Sequence, residues 1–469
     1  MTPLRRLSPP VLSVRGARSA RHWPAALMLA LGPLMTQAQT PSDALRAADP
    51  QSPVAVRSAA PPSPAPVPSP ELPTTAADAL AIWQRANQQV AAFPRGHIDI
   101  LRWEAQNSAA KTPPASGPAA PPLLAAEALR LSMSQRPALL ARPGMGAMER
   151  AAVQSAWLEH ALAVQRAWIN AVTSRDSLRQ QQARLEAAHS GAELGRRMVV
   201  AGSWSQARLM REQLVQAREH SARLQAQQAA LDAQEQLARL MGQWDPQVID
   251  ALMQRLPAAL PDLPAQPQPG PGLAESDLEA AVLRSHPQLA LQRTDTQRKL
   301  AAVNPAWRDT WAQALQTSLL TLPTQGLPTA PPGVADLRLA NDHALQRALG
   351  AEAELLQLAA ERRSAARTAW ARLQTAHVLA RHAQETVLPL QTALEQETLL
   401  RYNGMLQSTW ELLEASRERM QAASDAASAR RDFWLARLDL DHLIAGGDYS
   451  PAEPSATGGA RATAPTPGH

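Results

Sequence analysis

Apolar residues return at every seventh position along four long stretches of the chain. In the first they are Trp157, Val164, Ala171, Leu178, Leu185 and Ala192, and in the second Met210, Ala217, Leu224, Leu231 and Ala238. The third carries Ala359, Ala366, Leu373, Ala380, Val387 and Leu394, and the fourth Leu406, Leu413, Met420, Ala427 and Trp434. A sustained spacing of seven marks helices packed along a coiled-coil seam. Many seam positions are Ala, which lets helices approach closely. The second and fourth stretches run to about 40 residues, or about 60 Å at the helical rise. The pattern therefore predicts a mainly α protein of long antiparallel coiled-coil hairpins, with few or short β-strands. Pro389 falls inside the third stretch and is expected to kink it.

Short turns separate the paired helices. Ala201-Gly202-Ser203 divides the first pair, and Tyr402-Asn403-Gly404 divides the second. Asn403 and Gly404 both tolerate positive φ, which suits a tight turn. The two halves also repeat one another. EALRLSMSQRPALL (127–140) corresponds to EAAVLRSHPQLAL (279–291), with Pro then Leu at the same point. VVAGSWSQARLM (199–210) corresponds to YNGMLQSTWELL (402–413), and LARLMG (237–242) to LDHLIAG (440–446). The second copy is longer between its Pro and its tip, from 287 to 404 against 137 to 202.

Flanking segments complete the organisation. Arg5, Arg6, Arg15, Arg18 and Arg21 precede the short apolar run WPAALMLALGPLM and then Thr36-Gln37-Ala38, which reads as a signal peptide over 1–38. A Pro-rich linker, disordered or polyproline-like, follows over 39–76, then a short helix and irregular segment over 77–122. The first hairpin repeat spans 123–256, a Pro-rich linker 257–273, the second repeat 274–446 and a disordered tail 447–469. No apolar run reaches the roughly 20 residues of a membrane-spanning helix.

Composition narrows the chemistry. With 2 Phe, 2 Tyr and 12 Trp, the chain is poor in strand formers and suits no aromatic-girdled barrel of its own. The absence of Cys excludes disulfides, thiolate metal sites and a Cys nucleophile. The net charge of +5 comes from Arg interleaved with Glu and Gln, a solvated helix face rather than a nucleic-acid patch. His377 and His382 are five apart, off the spacing of a helical zinc pair, so no metal or other cofactor is expected. No phosphate loop or nucleophile elbow is present, which argues against an enzyme. The Trp residues at 157, 168, 370, 410 and 434 lie on or near the seams, as packing residues would.

RYNGMLQSTWELLEASRERM, followed by ARRDFWLARLDLDHLIAG, resembles the TolC-type outer-membrane efflux proteins. The resemblance covers about 123–446, over both repeats. It implies a homotrimer whose helices form a tunnel across the periplasm and whose strands share one outer-membrane barrel. It also implies passive export of small molecules or proteins, driven by an inner-membrane pump through a periplasmic adaptor, and the cargo expected for this chain is small molecules or metal ions. The adaptor would dock at the hairpin tips, at Gly202, Ser203, Tyr402, Asn403 and Gly404. The family narrows its tunnel with acids just past the second tip, where this chain has Glu411 and Glu414, three apart on one helix face. Acids in a first helical turn also oppose the macrodipole, which accounts for them without a gate.

The barrel is where the chain departs from that pattern. Pro137 leads almost directly into helix near residue 147, leaving no room for a strand pair in the first copy. In the second copy, 318–326 and 334–342 are candidate short strands. Either the missing strands have been lost, or HIDILRW (97–103) takes part. The alternative reading is a periplasmic coiled-coil interaction protein without a barrel.

Overall fold

The computed structural model describes residues 121–451, apart from 324, 325, 327–329, 334 and 335. The segments read as signal peptide and first linker, residues 77–120 with HIDILRW, and the tail beyond Pro451 lie outside the described residues. In chain order the helices are α1 (Ala125–Ser134), α2 (Ala147–Val200), α3 (Gln206–Leu240) and α4 (Pro246–Gln254). Then follow α5 (Leu278–Ser285), α6 (Pro287–Ala301), α7 (Pro305–Leu319) and α8 (Leu337–Asn341). The last are α9 (His343–His382), α10 (Leu388–Asn403) and α11 (Thr409–Ile444). No strand occurs among the described residues, only an isolated bridge between Gly270 and Leu273. None of the described helices is long and apolar enough to cross a membrane.

Helix starts follow local chemistry. Asp245, His286 and Asn304 cap α4, α6 and α7 through their side chains, each with Pro next in sequence. Pro at the first helical position loses no intrahelical bond and has its φ already set. Both long second helices end alike. Gly242 and Gly446 take φ of 71° and 100°, and the following N–H reaches back to Ala238 O and His442 O. That is the Schellman closure for which glycine is suited.

α2 and α3 form the first hairpin, α9, α10 and α11 form the second, and α11 also packs against α2. The apolar cores sit at the bases, away from the tips. One joins Val164, Trp168 and Val172 of α2 to Leu237 at the end of α3 and Met253 of α4. The other joins Trp370 and Leu373 of α9 to Phe433 and Leu440 of α11 and Val282 of α5.

Three expectations are corrected. The first concerns α3, where the line Leu209, Gln216, Arg223, Ala230 and Leu237, one residue before the predicted register, runs buried to half-buried, while of the predicted line only Ala238 is buried and Leu224 half-buried. Two of these five are polar, so counting apolar residues selects the neighbouring line. Met210, Ala217 and Leu231 of that line are in fact exposed.

The second concerns the seam beyond Ala380. A π turn, Ala383–Val387, inserts one residue just before Pro389. Val387 and Leu394 are thereby turned outward, while Leu388 and Glu395 become half-buried and Thr398 buried. Pro389 has no N–H to offer the preceding turn, and a π turn is a recognised way for a helix to absorb such a break.

The third concerns the candidate strands. Residues 318–319 end α7, and 337–341 form α8. Among the described residues, the extra length of the second copy contains helices α6, α7 and α8 and no strand.

The Pro-rich segment 257–273 is a strap rather than a spacer. Its carbonyls have no ladder, and long side chains from the helices donate to several of them. Trp434 Nε1 donates to Pro261 O at 3.0 Å, and His377 Nε2 lies 2.8 Å from Pro264 O. Arg179 and Arg437 donate to Ala258 O and Gln268 O. His377 thus serves packing, with its ring 5.5 Å from that of Phe433.

Candidate functional site at the hairpin tips

The two tips close by the same hydrogen bonds. At the first, Gly202 has φ 74° and Ser203 N donates to Met198 O at 2.9 Å. At the second, Leu406 N donates to Arg401 O at 2.8 Å, and the left-handed residue is Met405, with φ 59°. The turn therefore uses neither Asn403 nor Gly404 at positive φ. Asn403 ends α10, and Gly404 sits at φ −81°. Both tips then place a serine three residues on, Ser205 or Ser408, as the cap of the next helix. The glycine of the second tip thus stands one position early, and a methionine occupies the position that glycine suits. The side chains of Met405 and Leu406 are 94% and 80% exposed.

The first tip is anchored where the second is open. Trp204 is buried against α2, and its ring meets Trp410 of α11 edge to face, with centroids 6.3 Å apart. The Arg208 guanidinium lies 5.4 Å from the Trp204 ring and 5.5 Å from the Trp410 ring. Arg417, two turns further along α11, covers the Trp410 ring at 5.9 Å and pairs with the fully buried Glu212 of α3. Cation–π contacts and a buried, directly paired carboxylate join the two hairpins at tip level. Oε1 of Glu212 has no hydrogen-bond partner among the described residues.

Two glycines make this approach possible. A Cβ at Gly191 of α2 would lie 3.0 Å from Glu212 Oε2, and one at Gly195 would lie 3.2 Å from both Leu209 and Trp204. Glycine inside a helix costs about 1 kcal/mol relative to Ala, so its place here is explained by space. Sequence reasoning singled out neither glycine, nor Glu212, Trp204, Arg208 and Arg417. Two glycines four apart inside a predicted helix were the available signal.

The two acids occupy different settings. Glu411 closes a capping box. Its Oε2 accepts from Ser408 N at 2.7 Å and from Ser408 Oγ at 3.0 Å. These bonds, the backbone one first, hold its carboxyl below the ordinary glutamate range. Glu414 accepts from Arg417 at 3.4 Å and remains exposed. Behind it a cavity of about 260 Å³ opens between the hairpins, lined in part by Arg184, Glu219, Leu413 and Met420.

No protein-family model matches the chain, and no curated protein matches it. Solved structures similar to it include the outer membrane protein VceC from Vibrio cholerae, at 15% identity and TM-score 0.45, covering 69% of this chain and 75% of that one. The CmeC outer membrane channel of Campylobacter jejuni matches at 13% identity and TM-score 0.44, covering 66% and 67%. A membrane protein from Pseudomonas aeruginosa matches at 13% and 0.43, covering 71% and 74%.

Proposed function

We propose that this chain is a component of a TolC-like efflux duct at the outer membrane, exporting small molecules or metal ions passively. Its long hairpins would reach across the periplasm, and its tips would dock a periplasmic adaptor joined to an inner-membrane pump. The sequence resemblance around the second tip supports the reading. The observation that carries it is the matched pair of tips, closed by the same hydrogen bonds and held side by side through Trp204 and Trp410. A homotrimer would cover the outward apolar lines, Met210 and Leu231 on α3 and Leu390 and Leu394 on α10. In the trimer, Glu411 and Glu414 would form the acidic constriction. Each has a local partner, Glu411 its helix cap and Glu414 the guanidinium of Arg417.

A second reading is favoured by the helical build of the second copy's extra length, where strands were expected. It is a periplasmic interaction protein that has the hairpins without the barrel. The two readings separate in cells lacking the gene. The duct reading expects such cells to retain a fluorescent cationic dye or toxic metal ions. Wild-type chain should restore export, and Met405→Asp with Leu406→Asp, present at equal level, should not. Unchanged retention on deletion, across dyes and metals, would leave the interaction-protein reading.

A further inference from the structure

The two repeats close their long second helices in the same way, and the second adds histidines. Gly242 and Gly446 follow α3 and α11, and the next N–H reaches back to Ala238 O in the first copy and His442 O in the second. Each glycine packs on the residue two before the repeated proline, Gln135 or Ser285. Ala238 is fully buried, so the closure itself has no need of an imidazole at that position. The residue before the proline also differs. Arg136 makes no side-chain cap, whereas His286 caps α6. His286 and His442 are only 3% and 7% exposed.

The segment after α11 folds over this pair. A Cβ at Gly447 would strike the His442 ring, and one at Gly446 would strike Ser285 O. Asp448 then reaches two elements at once, Arg362 of α9 at 2.5 Å and His286 Nε2 at 3.5 Å. Arg166 of α2 donates to Asp439 at 2.6 Å and to Ser450 O. Residues 446–450 thereby tie the end of α11 to α2, α6 and α9.

The His286 ring has no spare acceptor. Its Nδ1 accepts from Leu289 N at 3.2 Å, which leaves the proton on Nε2, facing Asp448. A second proton must go on Nδ1, and an imidazolium cannot accept the cap bond. The charged groups facing the ring are Arg362 of α9, Asp448, and Glu159 of α2, which lines the same small gap. The Nε atoms of Arg362 and Arg166 are buried with no hydrogen-bond partner among the described residues, so the cations here already lack acceptors. Burial first, and Arg362 second, hold His286 below the ordinary histidine value against the pull of Asp448. Burial and then Arg166 do the same at His442, against Asp448 and Asp439. Burial pushes the Asp448 carboxyl up, but Arg362 and His286 more than offset this and keep it low.

We propose that His286 and residues 446–450 form an acid-released latch between the two repeats. With the imidazole neutral, the latch is shut. A proton on Nδ1 breaks the cap of α6 and adds a cation beside Arg362, and the segment lets go. The advantage of the closed state is whole above about pH 6.5, the ordinary histidine value. It is lost as pH falls through the folded-state value of His286, because the open state binds the proton more readily. The latch goes beyond the duct reading and does not require transport activity.

Protection from hydrogen exchange in the full chain, taken relative to the intrinsic rate at each pH, tests it. Between about pH 7.5 and about pH 5, protection at the start of α6 and at Gly447 should fall about tenfold in wild type. Protection in the middle of α11, around Ala422, should not change. His286→Asn keeps an acceptor at the cap, as Asn304 does before Pro305, and does not titrate. This variant should stay protected at both pH values. Gly447→Ala, which crowds the His442 ring, should open the segment at both. Titration of the His286 ring by NMR gives a second reading, and its midpoint should coincide with the loss of protection. The proposal is overturned if wild-type protection is the same at both pH values, or if the loss spreads evenly along α11. It is equally overturned if His286→Asn responds to acid like wild type, or if the ring titrates at or above the ordinary histidine value.

Discussion

The two hairpin tips share one backbone design and differ in how they are held. The first buries Trp204 against α2 and joins α11 through Arg208, Trp410 and the Glu212–Arg417 pair. Its left-handed position is a glycine. The second tip projects Met405 and Leu406 into solvent and places a methionine at the left-handed position. A left-handed conformation costs a residue with a Cβ roughly 1–2 kcal/mol. The first tip is thus anchored, whereas the second is an exposed, apolar and slightly strained turn.

Breaking the anchor should have the largest effect. Arg417→Ala leaves Glu212 buried and unpaired, and should destabilise by about 3 kcal/mol. Urea unfolding followed by tryptophan fluorescence reads this, and an unchanged midpoint would show that the pair holds nothing. Crowding the approach comes next. Gly195→Val should cost about 1–3 kcal/mol, because the new methyls meet Leu209 and Trp204. In the second hairpin, Gly350 of α9 faces open space, so Gly350→Ala should stabilise by about 1 kcal/mol. Thermal unfolding of both variants decides whether the helix glycines differ as the packing implies.

Exchanging the turn residues should give smaller shifts of opposite sign. Met405→Gly should stabilise by about 1 kcal/mol, and Gly202→Ala should destabilise by about as much. If both variants shift stability in the same direction, the two tips do not share the backbone described. The smallest effect concerns pH. Because the carboxyl of Glu411 is held below its ordinary value, its contribution is present above that value. It is lost as pH falls through the folded-state pKa. Protection from hydrogen exchange at the start of α11, taken relative to the intrinsic rate at each pH, should therefore fall on acidification in wild type, and Glu411→Gln should already show low protection at neutral pH. Identical pH profiles would remove the capping box from the account.

Much of this was legible in the residues. The two hairpins, both turns, the closing glycines and the Pro-Leu repeat follow from periodicity and punctuation. The facing of α3 was hidden because Gln216 and Arg223 occupy its inner line. The π turn was hidden because heptad counting assumes a constant register, although Pro389 marked the spot. The strap over 257–273 is invisible to periodicity, since its structure comes from side chains donating to carbonyls. The loosely alternating segment around Val334 suggested strands, but Asp336 caps a helix there. At the site, Glu411 and Glu414 were found by spacing. The anchor required knowing which faces of α2, α3 and α11 meet.

Fractionation of the expressing cell, with the outer-membrane fraction run unheated to preserve oligomers, tests whether the chain works as the oligomeric duct we propose. An outer-membrane species migrating as three chains is expected. A soluble periplasmic monomer would contradict the proposal.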